Sequence, residues 1–290
     1  MSTRPNPRDE RPSTYFVQDR ANEDERTRVM LQDQLYTASM GGVLPEQPDP
    51  TAFRRVLDVG CGTGGWLIDV ARSYPTMTTL VGVDISNKMV EYARAQVEAE
   101  GVSDRVKFQL RDVLTGLEFP DASFDLINQR LGASYLRTWD WSRIVMEYRR
   151  VVQAGGVIRI SEVDLTESNG EAFNRLARVF LQALYGAGHY FTLDNRGLTG
   201  EIAPLLEKYG LRDVQTRVHH IEYRAGTKEG DMHAENMKYG FRTLLPFFRK
   251  WTRLPADYEE LYQQMLGEMQ RPDFVATFDM HTVWGTVPLR

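Results

Sequence analysis

The residues best suited to chemistry are three carboxylates set around a run of glycines. Asp58-Val59-Gly60-Cys61-Gly62-Thr63-Gly64 closes an apolar segment that begins at Arg55. Glycines at 60, 62 and 64 let the backbone turn tightly and approach a ligand closely. The helix expected after them presents free N–H groups at its start. Asp58 stands two residues before the first glycine, where a carboxylate can hold an ammonium group. Asp84 ends Val81-Gly82-Val83-Asp84, where a carboxylate can accept from both hydroxyls of a ribose. Asp112, in Leu110-Arg111-Asp112-Val113, is positioned to accept from an adenine amino group. Ammonium, ribose and adenine in one molecule describe S-adenosylmethionine (SAM).

By spacing alone the glycines are ambiguous, because Gly60, Gly62 and Gly65 also satisfy G-x-G-x-x-G, the dinucleotide fingerprint. An NAD(P)-dependent oxidoreductase would use Asp84 in the same way. It would place a pyrophosphate against Asp58, an unfavourable neighbour. It would also call for a hydride-transfer partner such as Tyr-x-x-x-Lys, and the sequence has no such pair. The plainer alternative for any single aspartate is a helix cap. The ordered set of Asp58, Asp84 and Asp112 is what favours a SAM site.

These acids need strand ends to hold them, and the pattern supplies strands. Short apolar runs at Arg55–Val59, Thr79–Val83, Val106–Leu110, Phe124–Asn128 and Val157–Ser161 predict five strands. Helices are predicted between them over Thr63–Tyr74, Asn87–Glu100 and Trp141–Val152, the last ending before Gly155-Gly156. This alternation predicts an α/β fold with a doubly wound, parallel sheet. The rhythm then breaks. Gly170–Tyr185 and Thr199–Tyr209 read as helices and Val214–Tyr223 as a strand. Gly230–Phe248 and Ala256–Met269 read as a helical insertion punctuated by Pro246 and Pro255, and Phe274–Thr286 as a last strand, an antiparallel pair at the sheet edge. An apolar stripe predicts a further helix over Asn22–Met40, stopped by Gly41-Gly42. The expected organisation is therefore an N-terminal tail and helix over 1–50, a cofactor-binding core over 51–228, a helical cap over 229–272 and a final core strand over 273–290.

The 290 residues are 42% hydrophobic and 26% charged, ordinary for a globular protein. A net charge of -5 with no basic stripe argues against nucleic acid as a partner. No apolar run approaches the ~20 residues of a membrane span. The single cysteine, Cys61, excludes an intramolecular disulfide and fits the cytoplasm. The first 14 residues are polar, carry three prolines and lack the apolar stretch of a signal peptide, so disorder is expected there.

Residues 54–165 resemble the class I SAM-dependent methyltransferases. The resemblance rests on Val56–Gly64, Val81–Ser86, Arg111-Asp112-Val113, and Phe119-Pro120-Asp121-Ala122-Ser123-Phe124-Asp125-Leu126-Ile127. Arg149–Gly156 is similar to the stretch before strand five, with Ala154 where that family usually has proline. The resemblance implies a seven-stranded, Rossmann-like sheet whose last strand is antiparallel. It also implies that Ile85 and Met89 flank the ribose and adenine, that Val113 packs on the adenine, and that Asn128 and Gln129 face the methionine part. A shorter resemblance covers Tyr15, Asn22–Arg26 and Arg28–Gln32, which are similar to LaeA-like and teleocidin-pathway methyltransferases of secondary metabolism. It implies that Tyr15, the helix and Gln32 close over SAM, from the same chain or from a neighbour in a homo-oligomer.

Methyl transfer from a sulfonium needs alignment and exclusion of water more than it needs a metal. No His/Asp/Glu set has convincing ligand spacing, and no metal is expected. His219 and His220 are adjacent, so a strand would point them to opposite faces. A general base is optional. Candidates are His189, in a glycine-containing loop whose plainer reading is a solvated histidine, and Glu162, at the end of strand five. His233 is a weaker fit and His281 reads as structural. The aromatic insertion, with Tyr239, Phe241, Phe247, Phe248, Trp251, Tyr258 and Tyr262 plus Met232, Met237, Met265 and Met269, is either a cap over an apolar acceptor or ordinary packing. The sequence thus predicts a SAM-dependent methyltransferase acting on a small, largely apolar metabolite, with a non-catalytic SAM-binding regulator as the alternative.

Overall fold

The computed structural model describes residues 14–17 and 23–289. The proline-containing tail and Asn22 lie outside the described residues. The chain forms α1 (Glu23–Ser39), β1 (Arg55–Val59), α2 (Gly65–Ser73), β2 (Thr79–Asp84), α3 (Asn87–Ala99), β3 (Val106–Leu110), β4 (Phe124–Arg130), α4 (Trp141–Val151) and β5 (Val152–Val163). It continues with β6 (Glu167–Ser168), α5 (Glu171–Gly186), α6 (Thr199–Lys208), β7 (Arg212–Arg224), α7 (Lys228–Thr243), α8 (Leu245–Trp251), α9 (Tyr258–Met269) and β8 (Val275–Thr286).

Strands β3, β2, β1, β4 and β5 pair in parallel in that order. Their alternate residues feed two cores, as a doubly wound sheet requires. Val56, Leu80, Phe108 and Leu126 pack under α2 and α3 with Trp66, Leu67, Val90 and Ala93. Leu57, Val83, Ile127 and Ile158 pack on the other face with Trp141, Ile144 and Tyr148 of α4, Ile202 of α6 and Phe173 of α5. Strand β8 inserts antiparallel beside β5, and β7 runs antiparallel along the other side of β8. The expected antiparallel pair is thus present, with β8 inward of β7, and a two-residue strand, β6, adds to the β5 side of β8.

Two spans depart from the sequence reading. Strand β5 begins at Val152, not Val157. Gly155, at φ +79, does not end an element but sits in a register irregularity where Phe124 pairs with Val152 and Leu126 with Val157. The insertion holds three helices rather than two, because Pro246 lies in the first turn of α8, where its missing N–H is tolerated. Helix α1 packs on α7 and on the face of β7 and β8, burying Leu35, Tyr36 and Met40 against Ile221, Tyr223, Phe278 and Met280. Among the described residues no helix is long and apolar enough to cross a membrane.

The cofactor loop is locked by packing as well as by turn geometry. Gly64 has φ +79, and a Cβ there would lie 2.5 Å from Phe108 and 2.9 Å from Ala93. Gly64→Ala therefore combines a left-handed backbone with overpacking between β3 and α3. We expect a loss of about 2–4 kcal/mol in urea unfolding; a change within experimental error would show that the loop relaxes freely.

Candidate active site

The strand ends converge on one cavity of about 440 Å³, in the size range of small-ligand sites. It lies at the carboxyl edge of the parallel strands, where open α/β sheets bind ligands. One end is lined by Asp58, Gly60, Gly62, Asp84, Ile85, Met89, Asp112 and Val113. Tyr15 and Gln32 line it as well, so ten of the expected cofactor residues share this wall.

Local hydrogen bonds fix the acids. Asp84 Oδ2 accepts from the Gly62 N–H at 3.0 Å and Oδ1 from the Ser86 N–H at 2.8 Å. Asp112 Oδ1 accepts from the Leu114 N–H at 2.9 Å, so this aspartate is both a cap and a cavity residue. The two readings of a strand-end aspartate coexist here. Asp58 is 4% exposed and accepts from Asn128 Nδ2 at 2.7 Å. Burial pushes its carboxyl up to about 7, opposed by Arg130 and by the Asn128 hydrogen bond. A buried carboxylate whose hydrogen-bond partner is a neutral amide fits an ammonium ligand, which would offset the burial.

Three expected cofactor residues do not reach the cavity. Asn128 is fully buried behind Asp58 and accepts from Arg159 Nη1 at 2.6 Å, while Arg159 in turn donates to Glu46 at 2.8 Å. Its task is to orient the aspartate. Gln129 is also fully buried and accepts from the Tyr148 hydroxyl. The residue of β4 that lines the cavity is Arg130, which also pairs with Asp33 of α1. Gly64 packs on the Phe108 side and does not line the cavity. The cavity-lining position that needs glycine is Gly60, at φ +71, where a Cβ would stand 2.8 Å from the Tyr135 hydroxyl.

The N-terminal residues close the same cavity. The Phe16 N–H donates to Ser134 O at 2.9 Å. The Tyr15 hydroxyl donates to Glu25, and Arg28 binds Glu25 through Nε at 2.8 Å and Nη2 at 2.7 Å. Thr243 of α7 donates to the same carboxylate at 3.2 Å. Tyr15, Arg28 and α7 are thereby tied together over the site.

The two base candidates part company. His189 is fully buried, neither solvated nor part of the cavity lining. Its Nδ1 lies 2.8 Å from Leu136 O, and burial lowers its pKa to about 4. The turn through Gly188, at φ +80, folds the ring inward against Phe247. Glu162 lines the cavity at 1% exposure and accepts from the Ala133 N–H at 3.2 Å. Burial raises its pKa to about 8 against the Ala133 and Gly132 N–H groups.

Beyond Glu162 the cavity becomes an apolar chamber. Phe173, Ala177, Phe180 and Leu184 of α5 line it, at helical spacing of four, three and four. That stripe was readable as an amphipathic face, and nothing in sequence marked it as ligand-facing. From the aromatic insertion, Met237 and Phe241 line the chamber. Phe247, Phe248, Tyr258, Met265 and Met269 are core. The fold also gathers Asp164, Asp279 and His281, whose possible ligand atoms lie within 4.8 Å of one another, a grouping the spacing did not reveal. His281 Nε2 sits 3.0 Å from Asp164, and Asp279 is 2.6 Å from His220 Nδ1. His219 and His220 do face apart, one buried and the other exposed.

Comparison with known proteins agrees with this geometry. A family model described as a methyltransferase domain matches residues 56–156. Methyltransferase GfsG of Streptomyces halstedii is 37% identical over 122 residues, which is 41% of this chain and 41% of that protein. The 27-O-demethylrifamycin SV methyltransferase of Amycolatopsis mediterranei is 25% identical over 252 residues, covering 87% of this chain and 78% of that one. Among solved structures, a Haemonchus contortus phosphoethanolamine N-methyltransferase 2 bound to S-adenosylhomocysteine (SAH) shares the fold. It has a TM-score of 0.58 and 17% identity over 94% of this chain and 60% of that one. The glycine turn and the three strand-end acids all fall within the matched segment: residues 56–156 match a methyltransferase domain, and this chain is similar to methyltransferases over that span and beyond it.

Proposed function

We propose that the protein transfers a methyl group from SAM to a small, largely apolar metabolite of secondary metabolism. The observation that carries the reading is the continuity of one cavity, from Asp58, Asp84 and Asp112 to Phe173, Phe180 and Phe241, with Glu162 on its wall. A regulator that only bound SAM would have no use for that second, apolar half. The similarity to the 27-O-demethylrifamycin SV methyltransferase supports such a metabolite as acceptor.

SAM, when bound, supplies an electrophilic methyl group on a sulfonium. Asp58 would hold the ammonium, Asp84 the ribose hydroxyls and Asp112 the adenine amino group. Ile85, Met89 and Val113 give the adenosine apolar contact. The α5 and α7 side chains exclude water and orient the acceptor. Glu162 would take the proton of an acceptor O–H or N–H, and a pKa near 8 suits a base working near neutral pH.

Calorimetry with SAM, SAH and NAD(H) tests the reading. Micromolar binding of SAM and SAH is expected, with none of NAD(H); the reverse pattern would sink it. On any acceptor found by a screen for SAH release, kcat/KM should rise with pH through about 8 and flatten beyond. Glu162→Gln should remove that rise and lower kcat by about 10²–10⁴-fold. A variant with the wild-type pH profile would exclude Glu162 as the base.

A further inference from the structure

The wall that α7 contributes to the acceptor chamber contains Asn236, Met237, Gly240, Phe241 and Leu244. Asn236 is out of place there. It is fully buried, and neither Oδ1 nor Nδ2 has a hydrogen-bond partner among the described residues. Buried side-chain amides are nearly always paired, and this unpaired one belongs to a cavity wall, so it calls for a partner from outside the chain. One turn earlier, on the same helix face, His233 is also buried with both ring nitrogens unpaired. A helix selected only for packing would carry apolar residues at both positions.

The neighbouring carboxylates at the cofactor end are already engaged. Asp58 is bonded to Asn128, Asp84 to Gly62 and Ser86, Asp112 to Leu114, and Glu162 to Ala133. Asn236 keeps one donor and one acceptor, side by side on a planar group. Gly240, four residues on and on the same face, leaves room beside it. A Cβ there would meet nothing closer than Arg28 Cδ at 3.6 Å. The chamber therefore offers a two-point polar contact within apolar walls.

We infer that Asn236 determines acceptor specificity, and that the acceptor carries a lactam or carboxamide whose N–H and C=O pair with its side-chain amide. This rests on the methyltransferase reading above and names the class of molecule that the same site takes. An acceptor that offers a single ether or ketone would leave the Asn236 amide half unpaired, and a site built around buried polar groups rejects analogues that cannot satisfy them.

The test uses the full chain saturated with SAH and two probes, 2-quinolone and 1-methyl-2-quinolone, which differ in one N–H. In calorimetry, 2-quinolone should bind at least about fivefold more tightly than its methylated analogue. Asn236→Leu should erase that preference and leave SAH affinity unchanged. Without ligand, Asn236→Leu should also raise the thermal midpoint by about 2–4 °C, because it removes unpaired polar atoms from the interior. Equal binding of the two probes to wild type, binding of neither, or a fall in thermal midpoint for Asn236→Leu would overturn the inference. Failure of wild type to bind SAH would instead overturn the methyltransferase reading beneath it.

Discussion

Asp84→Ala should weaken SAM binding by at least about 100-fold. Asp84 lines the cavity, and its two oxygens accept the Gly62 and Ser86 N–H groups, which fixes the plane of the carboxylate where two ribose hydroxyls would bind. Hydrogen bonds to a charged acceptor contribute about 1.5–3 kcal/mol apiece, so losing two amounts to about 3–6 kcal/mol, or roughly 10²–10⁴ in affinity. The bond to Gly62 adds a second route to the same loss, because it holds the glycine turn against the ligand. Asp84→Asn retains one good acceptor and should cost less, about tenfold. Calorimetry with SAM measures both, and a circular-dichroism melt confirms that the variants are folded. An Asp84→Ala protein with wild-type affinity would remove the ribose from this position.

The cofactor half of the site was legible because its signals are local. A glycine turn and an acid at or within two residues of a strand end are fixed by sequence neighbours. Asp58, Asp84 and Asp112 therefore come to line one cavity once the strands form. Asn128 and Gln129 were misplaced for a reason that spacing cannot show. Successive residues of a buried strand point to opposite faces, and here neither lines the cavity. Arg130 lies at the strand end and reaches the cavity instead. His189 misled in a similar way. A glycine-rich loop suggests exposure, yet Gly188 turns this ring into the core. The acceptor half was the least readable part. Its wall is assembled from α5 and α7, about 60 residues apart in the chain. Each reads alone as a packing helix, and only their convergence makes a chamber. Asn236 carried no sequence signal at all, since a mid-helix asparagine reads as a surface residue until its burial is known.

SAM affinity should also depend on pH in a way that reports Asp58. The free protein holds this carboxyl near 7 because it is buried, whereas the bound state needs it ionised against the ammonium. Below 7 a proton must leave before the ligand can bind, so the dissociation constant should rise about tenfold per pH unit. Above an α-amino pKa of about 7.7–8.0 the ligand loses its own charge. Binding should therefore be tightest between about pH 7 and 8, and roughly 20-fold weaker at pH 5.5 than at 7.5. At pH 6 nearly one proton should be released per SAM bound, read from calorimetry in buffers of different ionisation enthalpy. The linkage runs the opposite way for the ligand-free fold. An acid whose folded pKa lies above its unfolded value of about 3.9 binds more protons when folded, so its contribution to stability falls as pH rises from 4 to 7. Asp58→Asn should accordingly bind SAM weakly, without the acid-side decline, and melt higher than wild type at pH 7.5. An acid-side decline that persists in Asp58→Asn would assign the proton to another group and leave the ammonium without its proposed partner.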